Sequence, residues 1–211
     1  MTIEEYLNTS YHPDREFVDG QAIEPSPRCS TQTKSSILNL GMGAATLVSV
    51  EEYLSTSYSP DREYVDGRIV ERNLGELTHN RIQRRLIVYF DLRSKELGIE
   101  VVPEQRVQVS PTRFRVPDVT VVKSTQIQGE IFKAPPHLCI EILSKDDTLD
   151  YMQEKIDDYL RFGVPYIWII NPRLRKGYIA TKAGVVEAVL GILETSDPDI
   201  RVPIAELLDV D

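Results

Sequence analysis

Apolar and polar positions along the chain alternate with two different periods. "THNRIQRRLIVYFDLRSKELG" repeats its apolar residues near 3.6: Ile82, Leu86, Tyr89, Phe90 and Leu97. This predicts an amphipathic helix capped by Thr78 or Asn80 and stopped at Gly98. "LDYMQEKIDDYLRFG" predicts a second helix, with Leu149, Met152, Ile156, Tyr159 and Leu160 as its buried stripe and Gly163 as its stop. Strands are predicted in "REYVDGRIVER", with a turn at Asp66-Gly67, and in "IEVVPEQRVQV", which holds one or two. "RVPDVTVV" opens on Pro117, which suits the first position of a strand. "HLCIEILS" is an apolar strand interrupted by one acid, and "VPYIWIINP" is apolar almost throughout, as a central strand is. "GYIAT" and "VVEAVL" follow as later strands. A mixed sheet flanked by helices results, of α/β or α+β class.

The same pattern occurs twice near the start. Ile3 to Gly20 aligns with Val50 to Gly67, and 14 of the 18 positions are identical. Repeat architectures need three or more units with a common continuation. Here there are two, and they diverge. "RIVERN" after Gly67 reads as strand and turn, whereas "QAIEPSPRCSTQTKSS" after Gly20 reads as linker. The expected organisation is an extension over residues 1–49 and a main domain over 50–211. The first copy is either an echo of the second or a segment that competes with it for the same sheet edge.

Composition narrows the class. Of 211 residues, 41% are hydrophobic and 27% charged, with a net charge of −9. This is the balance of a soluble globular protein. Net acidity argues against a non-specific nucleic-acid coat, but not against an enzyme with a local basic face. Cys29 and Cys139 have no CxxC spacing, and the three histidines are scattered, so neither a zinc site nor a disulfide framework is expected. "MTIEEYL" lacks the apolar core of a signal peptide, and no apolar run approaches a membrane span. The expected location is the cytoplasm.

Two acids stand in costly places. Asp118 precedes a strand, and Glu141 lies inside "LCIEIL". A carboxylate on a buried strand costs several kcal/mol unless paired or ligated. By strand alternation Glu141 shares a face with Cys139 and Leu143, opposite Leu138, Ile140 and Ile142. Either the two acids hold a hard cation such as Mg²⁺, or they form buried salt bridges with Arg106, Arg113 or Arg115. Lys155 sits at the edge of the second helix's stripe. It either curls inward beside the acids, to orient a water or stabilise charge on a phosphate, or is a solvated helix lysine. Gln153, on the opposite edge, is in reach of the interior on the same argument. Arg81, Arg84, Arg85, Arg93 and Lys95 on the first helix either steer a phosphate backbone or form its wet face.

"REYVDGRIVE", "THNRIQRRL", "RVPDVTVV", "PPHLCIEILS" and "QEKIDDYLRFGVPYIWIINP" occur in the order seen in the Uma family. Members of that family, many of them cyanobacterial, are described as restriction endonucleases of the PD-(D/E)XK nuclease superfamily. The resemblance spans about Val50 to Leu208. It implies a restriction-endonuclease-like fold and a Mg²⁺-dependent endonuclease acting on DNA, with Mn²⁺ as a substitute ion. It implies Asp118 as the motif aspartate, Glu141 as the motif acid, both binding Mg²⁺, and Lys155 as the catalytic lysine. The superfamily places its lysine two residues after the acid, but Leu143 stands there; the resemblance implies that the lysine has moved to the next helix. Glu63 matches an early acid of the family, which either completes the metal shell or is an exposed strand or turn acid. His79 matches a recurrent position that either touches a phosphate or caps a helix. Homodimerisation is the expectation for an enzyme that cuts two strands. The alternative is a nuclease-fold protein that binds nucleic acid or a protein partner without cutting.

Overall fold

The computed structural model describes residues 16–18, 21–23, 47–72, 76–126 and 129–208. The chain divides into two compact units, Met1–Ala44 and Ala45–Asp211. In the first, β1 (Glu16–Val18) pairs antiparallel with β2 (Gln21–Ile23). Gln21–Ile23 is therefore a strand and not the start of a linker. The rest of the segment read as linker lies outside the described residues.

The second copy of the doubled phrase folds as a helix and a hairpin. α1 (Val50–Ser55) begins at Ser49, whose hydroxyl accepts the Glu52 N–H at 3.1 Å. β3 (Glu63–Val65) and β4 (Arg68–Val70) pair in the register Glu63↔Val70, which is the register of Glu16↔Ile23 in β1 and β2. Asp66 and Gly67 turn the chain with φ of 48° and 91°, the pair of positive φ values that a two-residue hairpin loop requires. Tyr53 from α1 packs on Tyr64 and Phe114 with ring centroids 5.0 and 5.3 Å away. The Tyr64 hydroxyl donates to the Val48 carbonyl at 2.8 Å, so the residues just before α1 are tied into this layer.

Past that layer, α2 (Leu77–Asp91) buries Ile82, Leu86 and Phe90, one face at a spacing of four. Thr78 and Asn80 do not cap it; the N-cap is Glu76, and both lie within the first turn. The predicted single helix is two. The chain leaves α2 at Leu92 and re-enters a short α3 (Ser94–Leu97) that ends at Gly98 with φ 63°. The Ser94 hydroxyl donates to the Asp91 carbonyl at 2.8 Å, using an acceptor that helix continuation would have used.

Then come β5 (Ile99–Pro103), β6 (Val107–Ser110), β7 (Arg113–Arg115), β8 (Val119–Lys123) and β9 (Leu138–Ile142). "IEVVPEQRVQV" thus supplies two strands, and they join different sheets. α4 (Leu149–Phe162) crosses from β9 to β10 (Tyr166–Asn171), which lies parallel to it. β11 (Lys176–Thr181) and β12 (Gly184–Glu187) complete a six-stranded sheet ordered β12-β11-β10-β9-β8-β5. A second sheet is ordered β4-β3-β7-β6. β13 (Ile192–Thr195), β14 (Ile200–Pro203) and α5 (Ile204–Leu208) close the α2 side.

The main sheet separates two cores. Leu138, Ile140 and Ile142 of β9 face the α2 side with Leu86, Phe90 and Trp168. Cys139 faces the α4 side with Met152, Ile156 and Tyr159. This is the alternation expected from the sequence. Leu149 departs from its predicted place in the buried stripe: it is 83% exposed, because it opens α4 and the face packed on the sheet begins one turn later, at Met152.

Candidate active site

Asp118 sits at the head of β8, where the chain passes from β7 of the second sheet into the six-stranded sheet. Its Oδ2 accepts the Ile142 N–H at 2.7 Å and faces His79 Nε2 at 3.2 Å; Oδ1 accepts from Arg72 Nη2 at 2.9 Å. Gln83 of α2 donates to the Asp118 carbonyl at 2.9 Å. Side chain and backbone are thus fixed from three elements. Burial pushes the Asp118 carboxyl up, but the His79, Lys155 and Arg72 charges outweigh it, and the group titrates below the usual carboxylate range.

Glu141 projects from β9 to the α4 side. Its Oε2 accepts from Lys155 Nζ at 2.7 Å and its Oε1 from the Tyr159 hydroxyl at 2.7 Å. Lys155 and Tyr159 are one helical turn apart on α4, so both reach the same carboxylate. Lys155 Nζ also lies 3.0 Å from Glu63 Oε1. The lysine is 4% exposed, which removes the solvated alternative. Burial lowers its pKa, but Glu141 and Glu63 raise it further, and the net shift is upward: the ammonium stays charged. Glu141 moves the other way from Asp118. Burial pushes it up, Lys155 opposes, and the charges of Asp118 and Glu63 add to burial, bringing it to about 7.

Glu63 is fully buried on β3 and ties the second sheet to the site. Arg115 Nη1 donates to its Oε2 at 2.9 Å, the Tyr151 hydroxyl donates to the same oxygen at 2.7 Å, and the Val116 N–H reaches its Oε1 at 3.1 Å. Arg115, with no exposed surface, also donates to Asp158 Oδ2 at 2.7 Å. The arginines considered as partners for Asp118 and Glu141 are committed elsewhere: Arg106 to Asp61, Arg113 to Asp66 and Asp158, Arg115 to Glu63 and Asp158.

Asp118, Glu141, Lys155, His79 and Arg72 line one small cleft with a free volume of about 30 Å³, room for a water or an ion. A larger cleft of about 430 Å³ lies at the opposite end of β8 and β9, lined by Lys123, Pro135, His137, Tyr166 and Asp197. That cleft is the larger, but among the described residues Asp197 is the acid that lines it, whereas Asp118 and Glu141 together line the smaller one.

Other expected residues lie elsewhere. Gln153 does not reach inward: it is exposed and donates to Asp157 at 2.9 Å, because the buried face of α4 is already filled by residues 151, 152, 155, 156, 158 and 159. Arg81 and Arg84 are exposed on α2 and do not enter the cleft. Arg85 turns back to donate to the Leu207 carbonyl at 3.0 Å, and Arg93 stacks over the Tyr89 ring at 3.9 Å. Sequence reasoning missed Arg72, Tyr151, Asp158 and Tyr159 as parts of the network. For α4 a signal existed: 151, 155 and 158 form a polar stripe beside the apolar stripe 152, 156 and 159, offset by one residue. For Arg72 there was none.

Among the described residues no group of three or more His, Cys, Asp or Glu side chains converges as a metal cluster. The two acids at the cleft nonetheless offer the oxygen donors that a hard divalent cation takes. One hydrogen bond is made to Asp118 Oδ1 and one to each Glu141 oxygen, and a carboxylate oxygen has two lone pairs. The donor chemistry fits Mg²⁺, which takes few protein carboxylates and keeps several waters. No described helix is long and apolar enough to cross a membrane.

Comparison with known proteins adds the family. A solved structure from Anabaena variabilis ATCC 29413, described as a "putative nuclease belonging to DUF820", superposes with a TM-score of 0.67 at 20% identity, covering 76% of this chain and 97% of that one. The two share a fold. A cryo-EM structure of a DrdV–DNA complex matches with a TM-score of 0.31 at 20% identity over 51% of this chain and 12% of that one, a likeness too slight to use. No curated protein matches. The model of the Uma2 family, described as "Putative restriction endonuclease", matches residues 50–189, a segment that contains Glu63, Asp118, Glu141 and Lys155. The chain belongs to the Uma2 family.

Proposed function

We propose that this protein is a metal-dependent endonuclease that hydrolyses DNA phosphodiester bonds, with Asp118 and Glu141 holding Mg²⁺ and with Mn²⁺ able to replace it. The observation that carries the reading is the meeting of Asp118, Glu141 and Lys155 in one cleft from three separate elements, with Glu63 behind them. Buried charges of this kind cost stability unless they serve one another or a ligand. A divalent cation bound there supplies a water of lowered pKa and neutralises charge on a phosphate. The chain's own residues do the positioning. The Ile142 N–H and His79 hold Asp118, and the Tyr159 hydroxyl and Lys155 hold Glu141. Lys155 stays protonated, so it acts as a donor that orients a water or stabilises developing charge, and not as the base. Its 2.7 Å approach to Glu141 supports the view that a helix lysine serves where Leu143 cannot. Arg81 and Arg84 lie on the exposed face of α2 and would contact backbone phosphates; a homodimer would bring two such clefts to the two strands.

Plasmid nicking in Mg²⁺ tests this. Asp118→Ala is expected to lose cleavage while circular dichroism shows an unchanged fold; equal cleavage by wild type and variant overturns the proposal. A non-cleaving binder is the second reading, favoured by a protein donor on each carboxylate oxygen of both acids. Binding of a labelled duplex without cutting in Mg²⁺ or Mn²⁺ would establish it.

A further inference from the structure

The cations at the cleft are not equally committed. Lys155 lies between two buried carboxylates, 2.7 Å from Glu141 and 3.0 Å from Glu63. Moving it would leave Glu141 only the Tyr159 hydroxyl and take one of two cations from Glu63, so it is fixed. Arg72 is different. Its Nη2 donates to Asp118 Oδ1 at 2.9 Å, and its Nη1 lies 3.5 Å from Oε1 of Glu104, whose side chain is 48% exposed. Asp118's other partners, the Ile142 N–H and His79, sit on Oδ2. If Arg72 leaves Oδ1, the carboxylate keeps its position, and Glu104 keeps the guanidinium at the mouth of the cleft. A guanidinium and a divalent cation on one carboxylate oxygen repel each other, so each weakens the other's hold on Asp118.

We infer that Arg72 is an exchangeable counter-ion: it occupies Asp118 until a divalent cation takes that carboxylate, and the freed guanidinium then binds a backbone phosphate of the nucleic acid. This rests on Asp118 being a metal ligand, as proposed above. Arg suits the second role because its planar fork pairs with phosphate oxygens two at a time.

Calorimetric titration of Mn²⁺, without nucleic acid, into wild type, Arg72→Gln, Arg72→Lys and Asp118→Asn is the test. Arg72→Gln is expected to bind Mn²⁺ about fivefold more tightly than wild type, the upper scale of one released ion pair near a protein surface. Arg72→Lys should gain less, since an ammonium still reaches Asp118 but cannot span both acids, and it decides the matter if the Gln variant does not fold. Asp118→Asn should abolish binding. Asp118-dependent Mn²⁺ binding that is unchanged or weaker in the Arg72 variants overturns the inference and leaves the metal reading standing. No binding by any protein, or equal binding by Asp118→Asn, overturns the metal reading and the inference with it. Anisotropy with a labelled duplex in Ca²⁺ should show Arg72→Gln binding about tenfold more weakly despite its tighter metal; equal duplex affinity removes the phosphate role and overturns the inference as stated.

Discussion

Glu63 shows how far a single side chain can depart from its sequence setting. In "DREYVDG" it stands among polar residues near a turn, yet it is fully buried and held by Arg115, Tyr151, Lys155 and the Val116 N–H. Burial pushes its carboxyl up, but the Lys155 and Arg115 charges more than reverse this and bring it to about 2 from an ordinary 4.5. The sign follows from linkage. A depressed carboxyl binds fewer protons in the folded state, so its stabilisation is present above about 4.5 and is lost as pH falls towards about 2. Glu63→Gln should therefore cost about 3 kcal/mol at pH 7, since it leaves Arg115 and Lys155 short of a buried counter-charge. The difference from wild type should shrink below pH 4 in urea unfolding at several pH values. A pH-independent difference would mean that the carboxylate's charge is not what matters. Asp118 and Glu141 were legible as candidates because acids at the start of or inside apolar strands stand out. Arg72 and Asp158 were not, because their partners lie 46 and 43 residues away in the chain.

At the level of elements, α4 connects pattern to site. Its stop was readable, for Gly163 ends it at φ 107°, and Thr148 caps its start by accepting the Tyr151 N–H at 3.3 Å. Gly163 also permits close packing, since a Cβ there would meet Pro135 Cγ at 3.3 Å. Gly163→Ala is expected to lower stability by about 1–2 kcal/mol through positive φ and this contact. Chemical denaturation measures it, and an unchanged midpoint would show that the chain ends α4 equally well without glycine. The helix period also placed Lys155 near the buried stripe. Its commitment to the interior came only from the acids of β9 and β3 facing it. The break between α2 and α3 escaped the periodicity because Leu97 continues the apolar spacing across it.

For the molecule as a whole, the doubled phrase poses an experimental question. Both copies form hairpins of equivalent register, but all the elements of the candidate site lie within Ala45–Asp211. Deleting residues 1–44 is expected to leave thermal unfolding and nicking unchanged. Deleting 1–49 should destabilise, because it removes the Ser49 cap and the Val48 contacts with Gly67 and Tyr64. A large loss from the shorter deletion would mean that the first copy belongs to the core of the second.

By itself, the sequence determined the periods of the helices and strands, the glycine stops, the hairpin turn and the two acids out of place at the start of one apolar strand and inside another. These are local: each depends on residues a few positions apart, where propensity and alternation act. Only the tertiary structure decided which charge meets which. Lys155 turned inward, Arg115 paired with Glu63 and Asp158 and left Asp118 to Arg72, and Gln153 turned to solvent. Ion pairing depends on distance through space and on the loss of water, and neither is encoded in spacing along the chain.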